Sequence, residues 1–173
     1  MIKGILEKMI GSYSDREIKK VYPIADKIES LWDANMELLG PSPNINLHDR
    51  AWRIFSRNPN QPPQYVDNNA KISTSFISEG CYIFGEVKNS ILFPGVIINK
   101  GAKVEGSIIM QNTVIGENCK ITRAIIDEDT TVGNECVIGG NINITVVGHE
   151  ARIKDKVMVA DGSSIDPREI IEN

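Results

Sequence analysis

The chain has 173 residues, 41% of them apolar, and a net charge of −4, which is enough for one or two domains. The negative balance gives no attraction to nucleic acid or to an anionic membrane surface. No apolar run approaches the ~18 residues of a membrane span. The first residues are too interrupted by charge for a signal peptide, so a cytoplasmic protein is expected.

Residues 1–40 are predicted to form a helical segment, because their apolar residues follow helical spacing. The second stripe, along Ala25–Leu39, has the pattern of a packing face. Its members are Ile28, Leu31, Trp32, Met36 and Leu39. Gly40 and the proline after it are expected to end this helix. A proline-rich connector, which contains His48, is predicted over residues 41–69.

Residues 70–173 are predicted to form a separate domain that is organised by a repeat. Its aliphatic residues recur in steps of 6, 6 and 5, which sum to 17. They are Leu92, Ile98, Val104, Ile109, Ile115, Ile121, Ile126, Val132 and Ile138. One inward aliphatic on each of three faces makes a triangular coil, and so short a period means stacked coils. The predicted fold class is mainly β, a left-handed parallel β-helix of hexapeptide repeats. Antiparallel hairpins would instead alternate with period 2.

The two ends of the repeat are irregular. Ile72, Ile77 and Ile83 have hexapeptide character but miss the register of 17, as expected of a capping coil. A loop is predicted at 139–141, after which steps of 6 resume through Val147, Ile153, Val159 and Ile165. The tail 168–173 is expected to form a short helix that covers the open end of the coils, with Asp166-Pro167 at its start.

Small residues lie four positions after inward aliphatics, just before the corners of the coils. They are Ala102, Thr113, Cys119, Thr130 and Cys136. Cys119 and Cys136 are one period apart, so a disulfide or a metal pair is one interpretation. The preferred interpretation is that both, with Cys81, are free thiols in small inward positions, in keeping with a reducing compartment.

Residues that tolerate positive φ are expected at the corners, namely Gly101, Gly116, Gly133, Asn118 and Asn134.

Few residues offer catalytic chemistry. Hexapeptide acyltransferases use a histidine as general base, and His149, near a corner, is the candidate here. A three-histidine zinc site cannot be built within one chain that has two histidines. Glycine-rich phosphate loops of either common pattern are absent. The acidic run of Asp127, Glu128 and Asp129 suits a cation, although a solvated turn is the preferred interpretation.

Arg123 is the one basic residue out of keeping with its column. The equivalent positions of the two preceding coils, at intervals of 17, are Asn89 and Gly106. A guanidinium there can bind a phosphate or sulfate with two parallel hydrogen bonds. The alternative is a surface ion pair with Asp127 or Glu128.

Four long segments resemble the C-terminal β-helix domain of ADP-glucose pyrophosphorylase (glucose-1-phosphate adenylyltransferase), in family order. The resemblance covers about Ile28 to Val159 and is nearest to the bacterial glycogen-synthesis members. The segments are IESLWDANMELL at 28–39, WRIFSRNPNQPPQYV at 52–66, SEGCYIFGEVKNSILFPGV at 78–96 and SIIMQNTVIGENCKITRAIID at 107–127.

The resemblance implies a two-domain enzyme whose nucleotidyltransferase domain makes ADP-glucose from ATP and glucose 1-phosphate with Mg²⁺. The β-helix domain of such enzymes serves oligomerisation and allosteric control by sugar phosphates or nucleotides. The nucleotidyltransferase core has no counterpart here, and residues 24–27 replace the family's DVGT stretch. No catalytic residue, metal ligand or cofactor is therefore carried over to this chain, since Mg²⁺ and ATP belong to the missing domain.

Arg123 matches the family's RAIID motif, which lies beside the effector region. Lysines that effector-binding relatives carry nearby are replaced here by Glu128 and His149.

The leading hypothesis is a truncated relative without an active site of its own, which acts as an oligomerisation and allosteric module. Its expected partners are further copies of itself, full-length subunits and a sugar-phosphate or nucleotide effector. The alternatives are an acyltransferase that uses His149 between chains and a non-functional fragment.

Overall fold

The computed structural model describes residues 27–47, 49, 51 and 60–172. His48, residues 1–26 of the predicted helical segment and residues 52–59 of the predicted connector lie outside the described residues. One helix, α1, spans 27–37. It ends in short-range hydrogen bonds from Leu39 N to Met36 O and from Gly40 N to Glu37 O. No helix among the described residues is long and apolar enough to cross a membrane.

In the part of the chain that the structure describes, nineteen short strands follow α1 and form three parallel sheets. Sheet A contains β1 (Tyr65–Val66), β4 (Tyr82–Ile83), β7 (Ile97–Ile98), β10 (Val114–Ile115), β13 (Thr131–Val132), β16 (Arg152–Ile153) and β19 (Ile170–Ile171). Sheet B contains β2 (Lys71–Ser73), β5 (Glu86–Lys88), β8 (Lys103–Glu105), β11 (Lys120–Thr122), β14 (Val137–Gly139) and β17 (Met158–Val159). Sheet C contains β3 (Phe76–Ile77), β6 (Ile91–Leu92), β9 (Ile108–Ile109), β12 (Ala124–Ile126), β15 (Thr145–Val147) and β18 (Ser164–Ile165).

Each successive trio of A, B and C strands is one coil, so the strands make about six coils of a parallel β-solenoid. The predicted hexapeptide repeat is confirmed by the strand pairing. Leu92 pairs with Ile109, and Ile109 with Ile126. All three side chains are fully buried. The other predicted inward aliphatics between Leu92 and Ile138 are buried as well, because the strand ladder stacks like residues on like.

The irregular ends have a simple cause, which is the number of residues in the corners. Ile77 pairs with Leu92, a step of 15, whereas Ile126 pairs with Val147, a step of 21. The predicted loop at 139–141 accounts for the longer step, since residues 140–144 lie between β14 and β15. Steps in the core coils are 17, as Ile98 to Ile115 shows.

The predicted C-terminal helix is wrong. The tail forms β19, which continues sheet A by pairing Ile171 with Ile153, and Asp166-Pro167 lies at the corner before it. Ile171 falls 18 residues after Ile153, close to the step of the coils before it. So short a helix would gain few hydrogen bonds for its nucleation cost, whereas the strand completes a ladder that already exists.

The β-helix also begins earlier than the predicted boundary at residue 70. Strand β1 lies in the predicted connector and pairs Val66 with Ile83. That pair is 17 residues apart, so the same period identifies it. The Tyr65 ring anchors this strand from outside, with its centroid 6.2 Å from that of Tyr82.

The prediction of positive φ at corner glycines and asparagines is right only in part. Gly101 and Asn118 have φ of 72° and 56°, but Gly116, Gly133 and Asn134 do not have positive φ. Gly116 is needed for space instead, because a Cβ there would lie 2.3 Å from the Gly133 carbonyl oxygen.

Helix α1 contacts the β-helix at the corner that leads into sheet C. Trp32 reaches the corner of the third and fourth coils through Gly106 and Arg123. The segment after the helix, from Leu38, lines a groove with Thr74–Phe76 of the first coil. The outward-facing Ile108 of sheet C is fully buried.

Candidate anion site at Arg123

Arg123 lies at the corner between sheets B and C, called here the B–C corner. A column of left-handed residues runs along this corner, with φ of 46° at Thr74, 46° at Asn89, 58° at Gly106 and 47° at Arg123. The N–H groups of the last three donate to the previous coil, as Arg123 N does to Glu105 O at 3.0 Å. This hydrogen bond holds the backbone of Arg123 in the left-handed φ/ψ region, which costs a non-glycine residue about 1 kcal/mol.

A ladder of serine hydroxyls, of which those of Ser90 and Ser107 are buried, fixes the same corner. Ser90 N donates to Ser75 Oγ and Ser107 N to Ser90 Oγ, both at 3.1 Å. Ala124 N donates to Ser107 Oγ at 3.0 Å, and Ser107 Oγ donates to Glu105 O at 2.9 Å. The ladder therefore ends at Ala124, the residue that follows Arg123.

The guanidinium of Arg123 stacks on Trp32. Its Cζ lies 4.1 Å from the centroid of the Trp32 ring, within the range of a cation–π contact. The Trp32 Nε1–H donates to Gly106 O at 2.9 Å. The ring is thus tied to the third coil while it supports the cation of the fourth.

Arg123 has an unused hydrogen-bond donor. Its Nε is buried and has no hydrogen-bond partner in the structure. Among the described residues, ion pairs form between Lys88 and Glu105 and between Arg168 and Glu150, whereas Arg123 forms none with Asp127 or Glu128, the partners of the alternative interpretation. A cation with a buried, unpaired N–H is suited to an anion or an ordered water.

The three cysteines are free and buried, as the preferred interpretation expects. Cys119 Sγ lies 2.9 Å from Gly133 O, and Cys136 Sγ lies 3.0 Å from Lys154 O. These geometries fit thiols that donate to carbonyls of the next coil. Burial raises the pKa of the Cys119 thiol to about 11, so it is protonated and unreactive at neutral pH.

His149 and the acidic run form no recognisable centre. His149 is half-buried in the turn after β15, and its carbonyl accepts a hydrogen bond from Arg168 N at 2.8 Å. Asp129 accepts a hydrogen bond from Asn112 Nδ2 at 3.0 Å. No group of three histidine, cysteine or carboxylate side chains within the described ranges is arranged to hold a metal ion.

Sequence reasoning singled out Arg123 but missed the residues that hold it. Trp32 was one member of an apolar stripe, and nothing local links it to a residue 91 positions later. Ser107 was detectable in principle, because the steps from Ser75 to Ser90 and Ser107 are 15 and 17, the steps of the coils themselves.

The fold and the corner chemistry define a hexapeptide-repeat β-solenoid. A family model described as "GlmU-like, C-terminal hexapeptide" matches residues 62–152, which is more than half of the chain. The chain belongs to this family of hexapeptide domains.

Its similarity to individual proteins is narrower. Over 77 residues it is 56% identical to a glucose-1-phosphate adenylyltransferase of Desulforamulus reducens, covering 44% of this chain and 19% of that protein. The corresponding proteins of Bacillus thuringiensis (strain Al Hakam) and Bacillus anthracis are 53% identical over 77 residues, with coverage of 44% and 20%. The matched region is C-terminal in these relatives. The chain spans about a fifth of the length of the curated relatives it matches.

A solved structure, the acetyltransferase domain of PglB from Neisseria gonorrhoeae in complex with acetyl coenzyme A, is similar at a TM-score of 0.38 and 20% identity. The similarity covers 65% of this chain and 56% of that one. A likeness of this degree adds nothing on chemistry.

Proposed function

We propose that this chain is an oligomerisation and allosteric module of the glucose-1-phosphate adenylyltransferase type, in glycogen synthesis, with no active site of its own. The observation that carries the proposal is the 53–56% identity to the C-terminal region of these enzymes, together with the intact β-helix. In this proposal, the activity of the whole relatives belongs to the part of their length that this chain does not match. Three free, buried thiols favour a reducing, cytoplasmic location.

The oligomerisation part draws support from the outer face of sheet A. The outward positions of its first four strands are Tyr65, Tyr82, Ile97 and Val114, and both tyrosines are more than 40% exposed. The first outward positions of sheet B in the same coils are Lys71, Glu86, Lys103 and Lys120. A second copy of the chain that covers the apolar face would leave the charged face in water.

The allosteric part rests on Arg123. Its guanidinium has a buried Nε–H without a partner and no carboxylate paired to it among the described residues. A sugar phosphate or a nucleotide offers the oxygen acceptors that an arginine binds with two parallel hydrogen bonds.

The test combines catalysis and binding. The purified chain is expected to make no ADP-glucose from ATP, glucose 1-phosphate and Mg²⁺, and measurable turnover would overturn the proposal. Fructose 1,6-bisphosphate and AMP are titrated by calorimetry, and Arg123→Gln is expected to weaken the binding of whichever ligand binds by about tenfold, as for loss of a charged hydrogen bond. Absence of both self-association and ligand binding would instead support the non-functional fragment.

An acyltransferase that uses His149 is the second candidate, favoured by one observation, the position of His149 in a half-buried corner turn of a hexapeptide fold. It predicts acetyl-CoA binding by calorimetry and loss of acetyl transfer in His149→Ala. Binding of acetyl-CoA without dependence on His149 would exclude this role for the histidine.

A further inference from the structure

We propose that Trp32 is the positioning residue of the Arg123 site, and that it couples anion binding to the docking of helix α1 on the β-helix. This inference rests on the anion contact of the proposed function. It adds that the site is shared between helix α1 and the β-helix. Arg123 binds the anion with full affinity only while α1 is docked on the β-helix.

The geometry gives Trp32 two tasks. Its indole N–H is bonded to Gly106 O of the third coil at 2.9 Å, and its ring face supports the Arg123 guanidinium of the fourth coil at 4.1 Å. The hydrogen bond fixes the ring, and the ring fixes the plane of the guanidinium. Because stacking uses the face of the guanidinium and Nε is buried, the terminal N–H groups are the ones left for an anion.

The coupling follows from the flexibility of arginine. Without the ring, the side chain of Arg123 samples many rotamers, and an anion must overcome that entropy on binding. With the ring, the cost is met when the helix docks. By thermodynamic linkage, an anion that binds better to the docked form must stabilise the docked form to the same degree.

The charge distribution agrees with this arrangement. Glu105, which precedes Gly106 at the same corner, is already paired with Lys88, with its carboxylate oxygen 2.6 Å from Lys88 Nζ. The carboxylate of Glu105 therefore does not neutralise the Arg123 guanidinium. A small anion would supply the negative charge that Arg123 lacks at this corner.

The experiment uses the full chain and inorganic phosphate, with sodium chloride of equal ionic strength as the reference. Phosphate is titrated into ¹⁵N-labelled protein, and the amide signals of Gly106 and Ala124 and the Trp32 indole N–H signal are followed. The indole signal is identified by its absence from the Trp32→Phe spectrum. The variants are Trp32→Phe, which keeps an aromatic face, Trp32→Leu, which removes it, and Arg123→Gln.

The parent is expected to show a saturable shift of the Trp32 indole signal that is lost in Arg123→Gln. The dissociation constant for phosphate is expected to rise about threefold or more in Trp32→Leu and less than about twofold in Trp32→Phe, because only the former removes the cation–π contact. Leu31→Ala is the matched control on the same helix, since Leu31 is 43% exposed; it should bind phosphate like the parent. The rise in melting temperature on adding phosphate should be smaller in Trp32→Leu than in the control.

The outcomes separate the two proposals. Equal phosphate affinity in Trp32→Leu, Leu31→Ala and the parent, with loss in Arg123→Gln, overturns the positioning role and leaves the anion site standing. Binding that survives Arg123→Gln, or a parent that binds neither phosphate nor the ligands named above, overturns both.

Discussion

Hydroxyl and thiol groups at the corners of the coils perform the same task. Thr113 Oγ1 donates to Asp127 O at 2.8 Å, as Cys119 Sγ does to Gly133 O. Both side chains are small, and both satisfy a carbonyl of the next coil that would otherwise be buried without a donor. Cysteine and threonine can therefore alternate along the chain without any redox or metal chemistry.

The Cys119 thiol makes the free energy of unfolding depend on pH in the alkaline range. Burial raises its pKa from 9.0 to about 11, so the folded chain holds this proton more tightly than the unfolded chain does. Its contribution to the free energy of unfolding is complete below pH 9 and is lost as the pH rises from 9 to 11. We expect denaturant titrations at pH 8 and pH 10.5 to show a smaller loss of stability in Cys119→Thr than in the parent. An equal loss in both proteins would contradict this assignment.

Ser107 tests the serine ladder. In Ser107→Ala the Ala124 N–H loses its acceptor within the core, and we expect a loss of about 1–3 kcal/mol in the free energy of unfolding. Urea denaturation measures it, and Ser164→Ala is the matched control because Ser164 is exposed in β18. Similar effects of the two substitutions would show that the ladder adds no stability.

At the scale of the element, close contact between coils decides which corner residues are tolerated. A Cβ on Gly116 would lie 2.3 Å from the Gly133 carbonyl oxygen, whereas a Cβ on Gly106 would meet nothing within 4 Å. We expect Gly116→Ala to cost about 1–3 kcal/mol, as overpacking of a core does. Gly106→Asn should cost less, because asparagine tolerates positive φ and the Asn89 corner already has it. Chemical denaturation compares the two, and a reversed order would refute this account.

For the whole molecule, the apolar face of sheet A predicts self-association. We expect sedimentation velocity to give a mass above the 19.1 kDa of one chain. Tyr82→Lys should shift the distribution towards the monomer, because it places a charge on a face that a second copy would bury. Lys120→Gln on sheet B is the control and should leave the distribution unchanged. A parent that remains monomeric at high concentration would exclude oligomerisation through this face.

The repeat made most of the fold predictable, since the buried ladder of Leu92, Ile109 and Ile126 follows directly from spacing. The tail was not predictable in the same way, because Asp166-Pro167 has the local features of a helix start. The existing edge of sheet A outweighed that local preference. The support of Arg123 by Trp32 was beyond sequence reasoning, because it depends on where a separate helix docks.

The variable corner between β14 and β15 has a practical consequence. The coil that contains it advances by 21 residues, yet its strands pair in the same way as those of the coils that advance by 17. At the base of this corner Asn143 N donates a hydrogen bond to Asp161 Oδ1 at 3.0 Å, and Ile142 at the tip of the corner is 75% exposed. The rise of the solenoid is therefore independent of how much chain the tip contains. An epitope or a fluorescent label can be grafted between Asn141 and Ile142 to report on the protein in the cell.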